Sequence, residues 1–325
     1  MTAASRVAMK PKTPVPKSMR DVFIKAVYDR MRGNNHIFFL SADFGSPVLD
    51  KLKRDFKERF INVGIAEQNL INISAGLALE GYIVYAYAIA PFITMRAFEQ
   101  IRVNLSMSSQ IRPLNVNLIG VGGGVSYDLS GPTHHCMEDI SIMRLLPNLM
   151  VFSPSDWKLA ESFADYSIGR AIPKYIRLDG KPLPSIYGGA RRFNFGKGFA
   201  ELSKGERVCL VSTGYMTHRA INAVKKVRNT GLIDMFILKP IDEELLFRAL
   251  KRYGCVITIE EGFINNGGLD SLVSKVLLDN KSDIKLKRLG FDDRYVFEPG
   301  SRDLLHRLNG LDEKSIIRTV KECVK

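Results

Sequence analysis

Two doubly wound α/β domains are predicted for this chain of 325 residues, on three observations. Short, continuously apolar runs recur along the chain. Helical patterns separate most of them. One stretch rich in proline and glycine interrupts the alternation. Apolar runs of this kind are strands buried on both faces of a parallel sheet, and the intervening helices cover those faces. The interruption falls at Leu183–Gly198, where Pro182, Pro184, Gly188, Gly189, Gly196 and Gly198 break any regular period. Residues 1–17 therefore read as a flexible basic tail, 18–188 as the first domain and 189–325 as the second.

Ser18-Met19-Arg20-Asp21 opens the first helix, whose apolar positions Val22, Phe23, Ala26, Val27 and Met31 keep helical spacing. Gly33-Asn34-Asn35 ends it. Ile37-Phe38-Phe39-Leu40 is the first strand, followed by the polar loop Ser41-Ala42-Asp43-Phe44-Gly45. Further strands are predicted at 83–87, 116–120, 150–153, 174–178, 207–212, 233–237 and 255–260. The clearest helices are predicted at 68–80, 93–106 and 218–228. Parallel sheets bind ligands in the loops at the carboxyl ends of their strands. Asp43 and the Gly122–His135 segment are thus the places to look for chemistry.

Composition narrows the class. Hydrophobic residues make up 46% and charged residues 25%, which excludes a disordered chain or a fibre. The formal net charge of +13 suits nucleic acid, an anionic surface or phosphorylated small molecules. The four cysteines, Cys136, Cys209, Cys255 and Cys323, are widely spaced and signal neither zinc nor a disulfide framework. That pattern fits a reduced cytoplasmic compartment. No apolar run reaches the roughly 18 residues of a membrane span. The basic amino terminus, with three prolines and no apolar core, reads as a mobile tail rather than a secretory signal, with an organelle transit peptide as the alternative.

The sharpest motif is Asn62-Val-Gly-Ile-Ala-Glu-Gln-Asn69, where Gly64 lets an extended segment turn and Glu67 stands at a helix start. Taken alone, such a carboxylate is a cap. Together with Ser74-Ala-Gly-Leu-Ala78, Gly131-Pro-Thr-His-His135, Leu146-Pro-Asn148, Ser153-Pro-Ser-Asp156 and Ser41-Ala-Asp43, it resembles the transketolase and deoxyxylulose-phosphate synthase family. The resemblance covers nearly the whole chain from Ser18.

It implies a thiamine diphosphate-binding pyrimidine domain followed by a transketolase C-terminal-like domain. The Gly-Asp-Gly motif of the diphosphate domain is missing; Asp179-Gly180-Lys181 follows the last strand of the first domain instead. The chain thus resembles one subunit of a split transketolase, inactive alone. A separate N-terminal subunit would carry the diphosphate and hold most of the Mg2+, in an α2β2 assembly with the cofactor at the interface. The reaction implied is transfer of a two-carbon ketol unit from a ketose or ketose phosphate to an aldose. A synthase-like or 2-oxo acid dehydrogenase β-type subunit acting on a 2-oxo acid is one alternative, and a non-catalytic regulatory partner is another.

The resemblance also implies roles. Glu67 hydrogen-bonds a ring nitrogen of the aminopyrimidine and favours the tautomer that takes the thiazolium proton. Tyr87, Phe92 and Ile93 supply the stacking surface beside Arg96, and His134 contacts substrate hydroxyls. Arg20, Asp43, Ser130 and Lys181 are the further substrate candidates, with Ser130 standing where the family often has Asp. Metal ligands are expected from none of these residues, nucleic acid and membrane are not expected partners, and Gly122-Gly123-Gly124 reads as a flexible, close-approach loop. Glu260 and Glu261 read as a strand-end turn with structural and interface roles.

Overall fold

The computed structural model describes residues 15–188 and 192–324. Residues 1–14 of the expected tail, and Gly189 to Arg191 at the expected domain boundary, lie outside the described residues. Lys17, assigned to the tail, is tied down. It exchanges two backbone hydrogen bonds with Leu183, each 3.0 Å, and its ammonium lies 4.3 Å from the centre of the Trp157 ring.

The first domain begins with α1 (Met19–Met31), β1 (Ile37–Ser41), α2 (Pro47–Asp55), β2 (Phe60–Asn62), α3 (Glu67–Leu79) and β3 (Ile83–Ile89). A mixed helix follows: a π turn (Phe92–Arg96), the short α4 (Phe98–Gln100), a second π stretch (Ile101–Met107) and a 3-10 turn (Ser108–Gln110). Then come β4 (Val116–Val121), α5 (Asp139–Leu145), β5 (Met150–Phe152), α6 (Trp157–Ile168) and β6 (Lys174–Leu178). The second domain contains β7 (Phe199–Ser203), β8 (Val208–Ser212), α7 (Met216–Val224), β9 (Thr230–Met235), β10 (Ile237–Lys239), α8 (Glu243–Leu250), β11 (Cys255–Phe263), α9 (Leu269–Asp279), β12 (Lys285–Phe291), α10 (Arg302–Leu308) and α11 (Glu313–Val324).

Ser18 starts α1 as its sequence suggests, its hydroxyl accepting the Asp21 N–H at 3.2 Å. The predicted helix at 93–106 is present but not regular. The Thr94 hydroxyl donates to the Ala90 carbonyl at 2.7 Å, the acceptor that an α-helical Thr94 N–H would use, and the turn opens to the wider π spacing.

A seven-stranded sheet runs in the order β10-β5-β6-β4-β3-β1-β2, and a five-stranded sheet in the order β12-β11-β8-β9-β7. Both are parallel except at one edge each, where β10 lies antiparallel to β5 and β7 antiparallel to β9. Antiparallel strands tolerate an edge better than the interior of a wound sheet. The predicted strand at 233–237 divides accordingly. At Phe236 the chain leaves the second sheet, and with β10 it adds a strand to the first. Gly198 anchors the crossing, its carbonyl accepting from the N–H groups of Phe236 and Ile237 at 3.0 and 2.9 Å.

Helices cover both faces of each sheet. On one face of the first sheet, α1, α2 and α6 close a core around Phe23, Phe39, Phe152 and Phe163. On the other, α3 and the mixed helix close a core that continues into the second domain through Leu238, Leu246 and Leu269. Cys255 and Cys323 form a disulfide that joins β11 to α11, with Cα atoms 6.1 Å apart. The cysteine spacing signals no such pair, because the two residues meet only through the fold. Cys136 and Cys209 are free and buried. No helix among the described residues is long and apolar enough to cross a membrane.

Candidate active site

The strand-end loops of the first sheet gather most of the candidate residues on one edge. Glu67 begins α3 directly after β2, Phe92 begins the π turn after β3, and His134 lies in the loop after β4. Lys181 follows β6. Arg20 reaches the same edge because α1 runs back against the strand that follows it.

Four of these residues form a chain of contacts. Glu67 is 3% exposed, and its Oε2 accepts from Arg96 Nη1 at 2.6 Å. The Arg96 guanidinium also lies over the Phe92 ring at 4.8 Å, a cation–π contact that fixes its plane. Phe92 meets the His134 ring edge-on, centroids 5.4 Å apart. The His134 Nδ1 is 3.1 Å from the Thr133 hydroxyl. A buried carboxylate, a half-exposed aromatic face and an imidazole thus converge at the open edge. This set fits an aminopyrimidine ring, which needs one carboxylate at a ring nitrogen and one flat apolar neighbour. Among the described residues no group of three or more His, Cys, Asp or Glu side chains could hold a metal ion.

The other candidates lie outside this chain of contacts. Ile93 and Tyr87 are fully buried, in cores on opposite faces of the sheet, so neither is open to stack on a ligand as the sequence suggests. Strand alternation is the reason: with Ala86 and Ala88 facing α3, Tyr87 must face away. Its ring stacks on Phe44 at 5.4 Å. Asp43 takes a positive φ of 52° and is exposed. It is held by Asn62, which donates to its carboxylate at 2.9 Å. Ser130 is exposed in the 3-10 turn Asp128–Ser130. Arg20 donates from Nε to Asp21 at 2.7 Å.

Lys181 is engaged within the protein. Its Nζ donates to Asp128 Oδ2 at 2.5 Å, and the same oxygen accepts the Arg302 backbone N–H at 2.6 Å. Burial works against the Asp128 carboxylate, but Lys181 and Arg302 outweigh it and hold the group below its usual range. Arg302, which no sequence signal marks, is the centre of the domain junction. It donates to Glu261 from Nε at 2.7 Å and from Nη2 at 2.5 Å, pairs with Asp179 at 2.7 Å, and lies 3.6 Å from the Tyr215 ring centre. His306 Nε2 adds a 2.6 Å contact to Glu261. Burial alone would raise Glu261, yet the Arg302 guanidinium and the hydrogen bond from His306 hold it well below the carboxylate range. Glu261 lies within β11 rather than in the strand-end turn expected of it, and its contacts are structural, at the domain junction.

The glycine run is a close approach, but it is clamped between domains rather than free. A Cβ on Gly122 would stand 2.2 Å from the Tyr127 ring, one on Gly123 2.8 Å from Arg177, and one on Gly124 2.2 Å from the Glu261 carboxylate. Gly124 and Cys136 also exchange backbone hydrogen bonds at 2.9 and 2.8 Å. With φ at +63°, Gly124 has no room for a side chain and the wrong backbone for one. Gly124→Ala is expected to cost about 1–3 kcal/mol, measured by urea unfolding; wild-type stability would show that Glu261 does not clamp the loop. Beside this loop, His135 is 3% exposed. Burial lowers its pKa, so it stands neutral behind His134.

Comparison with known proteins agrees with this architecture. Residues 16–180 match the family model "Transketolase, pyrimidine binding domain" and residues 198–316 match "Transketolase, C-terminal domain". The chain is 37% identical over 268 residues to a subunit of the apulose-4-phosphate transketolase of Actinobacillus succinogenes, covering 81% of this chain and 84% of that one. It is 30% identical over 318 residues to 1-deoxy-D-xylulose-5-phosphate synthase of Gloeobacter violaceus, covering 95% of this chain but 48% of the synthase. Among solved structures, a split gene transketolase in the form of an inactive β4 tetramer superposes with a TM-score of 0.84 at 32% identity, covering 94% of this chain and 98% of that one.

Proposed function

Since the chain belongs to the transketolase family, we propose that it is the pyrimidine-binding subunit of a split transketolase. It transfers a two-carbon ketol unit from a ketose phosphate to an aldose, in an α2β2 assembly with a subunit that binds the cofactor diphosphate and Mg2+. The observation that carries this reading is the buried Glu67 carboxylate presented at an open edge beside Phe92 and His134. When bound, thiamine diphosphate supplies a nucleophilic carbon that adds to a ketose carbonyl.

In this reading, Glu67 holds a ring nitrogen of the pyrimidine through the oxygen that Arg96 leaves free, and so moves a proton at that atom. Arg96 keeps the carboxylate aimed and Phe92 carries the ring. His134 orients the substrate hydroxyls next to the reacting carbonyl. Arg20 and the excess positive charge draw a phosphorylated sugar to the edge. Asp43 and Ser130 line its approach. Lys181 acts through Asp128, holding the loop that carries His134.

The likeness to a synthase supports a second reading, transfer from pyruvate with loss of carbon dioxide. Mixing the chain with its partner subunit, thiamine diphosphate and Mg2+ separates the two. Ketol exchange between a ketose phosphate and an aldose, with no carbon dioxide released, is the expected result. Carbon dioxide released from pyruvate, without ketol exchange, would establish the second reading instead.

A further inference from the structure

A cavity of about 530 Å³ opens between the domain-boundary segment and α7. It contains none of the residues in the contact chain from Glu67 to His134. Its size and its walls, largely apolar with a few convergent polar groups, are those of a small-molecule site. Leu183 and Ile186 form the wall on the boundary side, and Ile221 forms the wall on α7. The polar groups share that helix face: His218, Asn222 and Lys225 follow one another at spacings of four and three residues. His218 is fixed at the more buried end. Its Nε2 is 2.7 Å from the Ser155 carbonyl oxygen, which can only accept, so Nε2 carries the proton. Burial lowers the pKa of the ring. The ring is then neutral at pH 7, and its Nδ1 is a lone-pair acceptor with no partner among the described residues. At the other end Asn222 and Lys225 are exposed, and Lys225 has no ion-pair partner among the described residues.

We propose that this cavity binds an organic anion with a flat, hydrogen-bond-donating ring at one end, the class of a nucleoside monophosphate. The ring lies between Ile186 and Ile221 and donates an N–H to His218 Nδ1, and the phosphate meets Lys225 and Asn222. Length argues against smaller anions. His218 and Lys225 are separated by about 10 Å of helix, which a nucleotide spans from base to phosphate and a pentose phosphate does not. The apolar walls also suit a ring face better than sugar hydroxyls, which would lose water there without gaining partners. Tyr215 lines the same cavity and carries the Arg302 guanidinium on its ring, so the ligand sits against the domain junction.

Isothermal titration calorimetry of the full chain with adenosine 5′-monophosphate, ribose 5-phosphate and inorganic phosphate tests the site without turnover. The nucleotide is expected to bind with a dissociation constant below about 1 mM, at least about tenfold tighter than the other two. Lys225→Glu and Asn222→Trp, both at exposed positions, should each weaken it by about tenfold or more, the first through charge and the second by filling the cavity. Lys204→Glu makes the same charge change at an exposed position outside the cavity and should alter affinity by less than about threefold. All three variants should melt with the wild type, because the altered side chains are exposed. Absence of saturable nucleotide binding would overturn the proposal, as would binding that Lys225→Glu and Asn222→Trp leave intact. Equal affinity for ribose 5-phosphate or inorganic phosphate would overturn the ligand class.

Discussion

Glu67→Gln in the reconstituted complex is expected to lower ketol transfer by about a thousandfold, within the range that a positioned acid–base group contributes. The amide keeps the size of the side chain but cannot act as the carboxylate at a ring nitrogen. Glu67 is buried and its only side-chain partner among the described residues is Arg96, at 2.6 Å. A purely structural cap would behave otherwise, since its loss shows in stability and not in turnover. The check is paired: steady-state rates for activity, and thermal melting for the fold. Turnover within tenfold of wild type would remove Glu67 from the chemistry. A thousandfold loss with unchanged melting is the expected pattern.

Arg302→Ala is expected to destabilise the fold by about 3–5 kcal/mol, the cost of breaking a buried ion pair. The arginine is 4% exposed, and its guanidinium joins Glu261 and Asp179, while the bond to Asp128 is made by its backbone N–H and survives the change. Removing it leaves Glu261 buried with only His306 against it among the described residues. For domains of this size the melting temperature should fall by about 10 °C, measured by calorimetry. Acid should act on the same group. Glu261 is held well below its unfolded range, so its contribution is fully present above about pH 4.3 and is lost as pH falls through the depressed value. Glu261→Gln should therefore flatten the acid limb of the stability profile. A limb identical to that of the wild type would show that other carboxylates set it.

Much of the fold was legible because buried parallel strands write themselves as short, mostly apolar runs, even where Asn117, Lys174 or Arg177 interrupts one. Ile37–Leu40, Val116–Gly120 and Lys174–Leu178 lie inside observed strands. The short edge strands β2 and β10 have three residues each, too few for a period to register. Their place depends on neighbours far off in the chain. Thr94 illustrates a different limit: helical spacing announced a helix, while the hydroxyl bond to Ala90 that opens it is a matter of local competition.

The site divides in the same way. Gly64 and Glu67 could be read from a strand-to-helix turn, and His134 from its glycine-bounded loop, because short-range motifs fix their geometry within a few residues. Tyr87 and Ile93 could not be assigned to the edge or the core by position alone, since one step along a strand reverses a side chain's direction and one step along a helical turn rotates it by about a quarter of a circle. The basic excess and the two-domain length were properties of the sequence. The tertiary structure alone decided that Arg96 pairs with Glu67, that Arg302 joins the domains through Asp179, and that Gly122 to Gly124 are crowded by three different side chains. Those contacts lie 29 residues apart for Arg96 with Glu67, and more than a hundred apart for Arg302 with Asp179 and Gly124 with Glu261. Local propensity cannot encode pairings at such distances; packing of the two sheets brings them together.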